Sequence, residues 1–177
     1  MKRIRLLVLV MVSVLLCNMA VPGLSSTAKL PLAEHEAVYV EMLENCTDSI
    51  GVDAGSVNKA IPVTLDDGAV DIVYIPLAGV TFVIGYMDGE LVSYALHVSQ
   101  STEDGAAVFG QMSFNLLIAT KLIANPITIT RTMEELTAAL AEGDEPGVRT
   151  AETEVGSAVC ELMHTSDVVT FMIYPGK

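Results

Sequence analysis

The sequence predicts an α+β fold: a two-layer domain in which a mainly antiparallel β-sheet carries about three helices on one face. Three observations lead there. Hydrophobic residues recur at helical spacing over residues 33–46 and 106–124, but with period two from Ile61 to Ser99 and again from Val148 to Tyr174. The strand-like runs follow one another across short turn signals, which suits antiparallel neighbours, since parallel strands need a crossover of a dozen or more residues. Finally, 51% of the 177 residues are hydrophobic and 18% charged, enough apolar surface for one core and too much for a disordered chain.

The chain opens with a basic head, Lys2, Arg3 and Arg5, followed by Leu6 to Leu16, apolar except for Ser13. That order predicts a secretory signal peptide over residues 1–28, with cleavage after Ala28 preferred to cleavage after Ala20 because Ser26 suits the small-residue position better than Asn18. The apolar stretch from Leu6 to Val21 would give about 24 Å of helix, short of the roughly 30 Å of bilayer hydrocarbon. The expected organisation is therefore a signal peptide at 1–28 and a single globular α+β domain at 29–177, secreted or held in the cell envelope, with no membrane span after cleavage.

Each element of the domain follows from local pattern. A helix is expected over Ala33 to Cys46, with Tyr39, Met42, Leu43 and Cys46 on one face. Asp66-Asp67-Gly68 reads as the turn between strands Ile61–Leu65 and Val70–Ile75, and Pro76 with Gly79 precedes a third strand, Val80–Met87. Asp88-Gly89 is the strongest hairpin signal. In the strand beyond it, Val92, Tyr94, Leu96 and Val98 alternate with Ser93, Ala95, His97 and Ser99, which predicts one buried and one wet face. A helix over Ala106 to Ala124 is apolar nearly all round and so should be buried on several sides. Gly110, Gln111, Ser113, Asn115 and Lys121 argue against its spanning a membrane, and Asn125-Pro126 should end it. Thr132 with Glu135 reads as a capping box for a short helix from Met133 to Glu142. Strands at Val148–Val155, Ala158–His164 and Val168–Tyr174 close the domain.

Loss of the signal peptide removes three of the nine basic residues and no acidic one, so six basic residues face 22 acidic ones, a net charge of −16. Nucleic acid and anionic lipid surfaces are excluded as partners by that charge. Two cysteines remain, Cys46 and Cys160, and an oxidising compartment predicts a disulfide between them, tying the first helix to the C-terminal strands.

The sequence holds no motif of catalysis. The histidines His35, His97 and His164 stand in no nucleophile–base pattern, no Gly-x-Ser-x-Gly elbow occurs, and no His-Glu-x-x-His or paired Cys-x-x-Cys offers a metal site. The acidic pairs Asp66-Asp67, Glu103-Asp104 and Asp144-Glu145 lack the calcium-loop pattern, and the glycines fit neither a P-loop nor a dinucleotide fingerprint. No cofactor is expected. The candidate binding surfaces are the sheet face carrying Ser93, His97 and Ser99, and the excess apolar surface of the 106–124 helix, which a second copy of the chain could also cover. The function expected is a non-catalytic domain that binds a protein or a cell-envelope component, with a secreted hydrolase using His97 or His164, or a carrier of a small apolar ligand, as the alternatives.

Overall fold

The structure is a computed structural model that describes residues 32–46, 60–66, 68–123, 125–141 and 147–176; the expected signal peptide lies outside the described residues. Helix α1 (Leu32–Glu44) leads into β1 (Ile61–Thr64), β2 (Val70–Leu77), β3 (Val80–Met87) and β4 (Glu90–Ser99). Helices α2 (Gly105–Ala119) and α3 (Pro126–Ala141) follow, then β5 (Arg149–Val155), β6 (Ala158–His164) and β7 (Val168–Pro175). The seven strands form one antiparallel sheet in the order β1-β2-β3-β4-β7-β6-β5, an α+β two-layer arrangement with the helices on one face. Two meanders, β1–β4 and β5–β7, are thus joined along β4 and β7.

The join decides which side chains meet. Opposed residues share a face, so Leu96 with Phe171 and Tyr94 with Ile173 stand on the helix side, while His97 with Thr170 and Ala95 with Met172 stand on the other. On the helix side the core runs from Tyr39, Met42 and Leu43 of α1 through Phe82, Ile84 and Leu96 to Leu162 and Phe171, with Met112, Leu116 and Leu117 of α2 and Ile129 and Leu136 of α3 above it. Tyr39 is its keystone: its ring stacks on Tyr74 at 4.0 Å and on Phe82 at 5.2 Å, and Phe82 in turn stacks on Tyr94 at 6.2 Å. The opposite face holds a second buried cluster of Val73, Val83, Ala95, Met163 and Met172, to which no residue of the three helices belongs.

Local chemistry explains the turns. Asp88 and Gly89 both adopt positive φ, 54° and 77°, the pair that a two-residue hairpin turn matched to the sheet's twist requires. Strand β2 runs through Pro76, two residues further than the sequence suggests. The register shifts between Tyr74 and Leu77, so the proline, which has no N–H, sits in an irregularity of the ladder rather than in a regular pair.

Three expectations are corrected. Helix α2 stops at Ala119, not Ala124: Thr120 N–H bonds Leu116 O, and Lys121 takes a left-handed φ of 56° that ends the helix. Asn125-Pro126 therefore starts α3 instead of ending α2. Ile127 N–H donates to Asn125 Oδ1 at 2.9 Å, and Pro126 occupies the first helical position, where its missing N–H leaves nothing unsatisfied. Thr132 and Glu135 are accordingly mid-helix and form no capping box; Thr132 is buried and Glu135 takes an exposed ion pair from Arg131 at 2.9 Å.

The third correction concerns Cys46 and Cys160, which are buried and not joined. Asn115 Nδ2 instead donates to Cys46 Sγ at 3.1 Å, and burial pushes the Cys160 thiol up to about 12.

The Tyr39 hydroxyl is buried without a hydrogen-bond partner among the described residues. Tyr39→Phe should therefore raise stability by about 1 kcal/mol by removing an unsatisfied group, while Tyr39→Ala, which empties the centre of the stack, should lower it by about 3 to 5 kcal/mol. Urea unfolding of the two variants checks both; a loss in the Phe variant would mean that the hydroxyl is satisfied.

Candidate functional site

Ser93, His97 and Ser99 share one sheet face, as their spacing on β4 requires, but that face is not uniformly wet. Ser93 and Ser99 are half-buried, and His97 is only 1% exposed. Ser93 fits against Gly85, where a Cβ would stand 2.7 Å from its Oγ, and Ser99 Oγ bonds Ser101 Oγ at 2.9 Å. His97 lies between Thr81 and Thr170 on the neighbouring strands and its Nδ1 is 2.9 Å from Thr170 Oγ1. Its Nε2 is buried with no hydrogen-bond partner among the described residues. The expectation of a wet face at His97 is thus corrected: period two told which side the imidazole takes, not whether that side meets water.

A hydroxyl beside an imidazole is the start of a nucleophile–base pair, but no described carboxylate hydrogen-bonds the His97 ring, and Thr170 is as buried as His97. Burial holds the His97 pKa down to about 4, so the ring is neutral in water at ordinary pH. The other histidines are elsewhere. His164, at the end of β6, touches Gln100; His35 lies in α1, with its side chain outside the described residues. Among the described residues no group of three or more His, Cys, Asp and Glu side chains could hold a metal ion, and no helix is long and apolar enough to cross a membrane.

Near β5 the face opposite the helices carries carboxylates. Glu152 and Glu161 stand directly opposite one another on β5 and β6, a like-charge pair that the sheet register forces together. Burial, and then the Glu152 charge, raise the Glu161 pKa, an effect that the Tyr174 hydroxyl partly offsets. The same surroundings push Tyr174 up to about 12, with burial first and the two glutamates after it.

The open concavity is on the other side of the molecule, between α2 and α3. It is a groove of about 670 Å³, with Phe109, Phe114 and Met133 as walls and Ala106, Gly110 and Ala138 as the small residues that let it form. On α3 the lining residues Thr130, Met133, Glu134, Thr137 and Ala138 follow helical spacing, so they make one stripe. Thr130 and Thr137 donate their hydroxyls to the carbonyls of Pro126 and Met133, which leaves the Glu134 carboxylate as the polar group on the groove without a partner among the described residues. The excess apolar surface expected on the 106–124 helix is therefore shared: α1, α3 and the sheet bury Met112, Leu116 and Leu117, while Phe109 and Phe114 remain half-buried in the groove. The groove is not legible in the sequence, because it depends on how α2 and α3 pack against one another; of its α3 lining only Thr130 lies before the helix expected from Met133.

Two titrations follow, with opposite signs. An unfolded histidine titrates near 6.5, so between about 6.5 and 4 the unfolded chain binds a proton that folded His97 refuses. Its contribution to stability is whole above 6.5 and falls with pH toward 4, by up to about 3 kcal/mol, and His97→Gln should flatten that slope in urea unfolding at pH 7 and 4.5. Glu161 works the other way: its raised pKa means that stability is lost as pH rises through the folded value. Glu161→Gln should make the protein more stable than the parent at pH 7 and no different once carboxylates are protonated; thermal melts over that range would refute this by showing equal Tm values at pH 7.

Compared with known proteins, the chain matches no protein-family model, no curated protein and no solved structure.

Proposed function

We propose that the protein is a non-catalytic, extracytoplasmic binding domain, and that its α2–α3 groove takes a polypeptide segment carrying apolar side chains and basic residues. The observation that carries this reading is the groove itself, an apolar trough within the usual range of ligand sites, with half-buried aromatic walls and an unpartnered carboxylate, Glu134, beside them. Charge supports the basic partner: the whole chain carries −13, and the only basic side chains among the described residues are Lys121, Arg131 and Arg149, of which Arg131 is paired with Glu135. Gly110 supports it too. Glycine inside a helix costs about 1 kcal/mol relative to alanine, yet a Cβ at Gly110 would meet nothing within 4 Å, so packing does not call for it. A glycine there keeps the α2 side of the trough open. The basic head followed by an apolar run at the N-terminus supports an extracytoplasmic site of action.

The test uses the natively processed protein and a fluorescent, N-acetylated, C-amidated amphipathic peptide of leucine, alanine and lysine, beside the same peptide with glutamate for lysine. Fluorescence polarisation should show binding of the lysine peptide alone, weakened about tenfold or more by Phe114→Asp and by Glu134→Lys, in variants whose circular dichroism matches the parent. Binding of neither peptide, binding that ignores Phe114→Asp, or a groove closed by self-association of the chain would each overturn the reading. So would a preference for vesicles of phosphatidylethanolamine and phosphatidylglycerol over the peptide.

A further inference from the structure

The groove does not end at Phe109. A second recess of about 320 Å³, between the ends of β4, β6 and β7 and the start of α2, shares Ala106 and Phe109 with it, so that one path runs from α3 to the sheet. Where the groove is apolar, the recess is polar on one side, with Ser99, Gln100 and His164 facing Val98 and Val169. Backbone and side chain fix that polar side. Gln100 N–H donates to Asp167 O at 2.9 Å, and its side-chain amide nitrogen lies 2.7 Å from the Thr165 carbonyl oxygen.

That last contact sets the state of His164. A carbonyl oxygen only accepts, so the group of Gln100 beside Thr165 must be the NH₂ and not the oxygen. The same nitrogen is 2.9 Å from His164 Nε2, and an NH₂ only donates. Nε2 is then the acceptor. The ring proton then sits on Nδ1, and that Nδ1–H has no partner among the described residues. A donor whose tautomer is set by its neighbour Gln100, in a side chain that lines the recess, is a hydrogen-bonding group held ready for something that accepts.

We infer that this recess is a subsite for an uncharged carbonyl oxygen of the segment held in the groove, with His164 Nδ1–H as its donor. The inference rests on the reading that the groove takes a polypeptide, and it adds how such a segment is held in place along the groove: an apolar side chain against Phe109 and a main-chain carbonyl one step further on. An uncharged acceptor fits the surroundings. Arg149 stands opposite His164 on β5, but Asp167 follows in the turn and Glu103 and Asp104 precede α2, so the nearby charge does not favour an anion.

The test has two readouts on the natively processed protein. Nitrogen-15 spectra of the histidines should show His164 as the Nδ1–H tautomer in the free protein. Binding of the lysine-bearing peptide should weaken about fivefold in His164→Phe, which keeps the bulk and loses the donor, and should return to within about twofold of the parent in His164→Asn, whose amide reaches the place of Nδ1. An Nε2–H tautomer overturns the inference. So does His164→Phe binding as the parent does while Phe114→Asp abolishes binding, a result that leaves the groove reading standing. If both variants bind as the parent does, the groove reading falls and the subsite with it.

Discussion

Six opposed pairs, from Tyr94–Ile173 to Ser99–Val168, join a four-strand meander to a three-strand one, and most of what is distinctive in this molecule hangs on that ladder. Each meander alone would leave two strand edges open to pairing with other chains; joined, they leave β1 and β5 at the edges of the described sheet. The ladder also fixes two chemistries at once, because side chains alternate along it. Leu96 and Phe171 meet under the helices, while His97 and Thr170 meet on the other face one residue away. A slip of one residue would exchange them, placing a histidine and a threonine in the aromatic core. The register is therefore held by the cost of every alternative as much as by its own hydrogen bonds.

The same ladder builds the polar recess. Gln100 is the first residue beyond β4, and it reaches His164 and Thr165 only because β7 lies between β4 and β6 and returns the turn at Thr165–Asp167 to the end of β4. Thr165 rigidifies that turn from within, its hydroxyl taking the Val168 N–H at 3.0 Å. A sheet-end hydrogen-bond set of this kind is made of residues that are close in space through pairing of strands far apart in sequence, between positions 64 and 65 residues distant. Local geometry, not charge, then decides the tautomer of His164.

What could be read from the sequence is what local pattern determines. The buried face of α1, Tyr39, Met42, Leu43 and Cys46, follows from helical spacing, and the Asp88-Gly89 turn follows from the positive φ that both positions take. Patterns failed where two local rules competed. Ile127, Thr128, Ile129 and Thr130 are β-branched and read poorly as helix, yet Pro126 and the Asn125 cap start one there, and burial of Ile129 and Thr132 against the core outweighs propensity. The groove was not legible for a different reason: most of its α3 wall lies in the part expected to be helix, but the packing of α3 against α2 that opens it is not a local pattern. The burial of His97 depends on which strands become its neighbours, and no window of sequence contains that information.

The centre and the edge of one sheet face answer pH differently for a reason that the ladder makes plain. His97 sits in the middle of the sheet, where neighbouring strands leave its ring neither water nor a carboxylate, so it can remain only neutral. Glu161 sits toward the edge, where half-burial and the register set a second glutamate against it, so its charge is what is disfavoured. Acid thus strains the centre while relaxing the edge. In a chain with 22 acidic and nine basic residues, general charge repulsion also eases as pH falls, on the side of Glu161 and against His97. The centre is the stronger constraint, since a buried imidazolium there would have to open the β4–β7 ladder itself to reach water, and with it the ladder's end, where Gln100, His164 and the mouth of the groove are held in place.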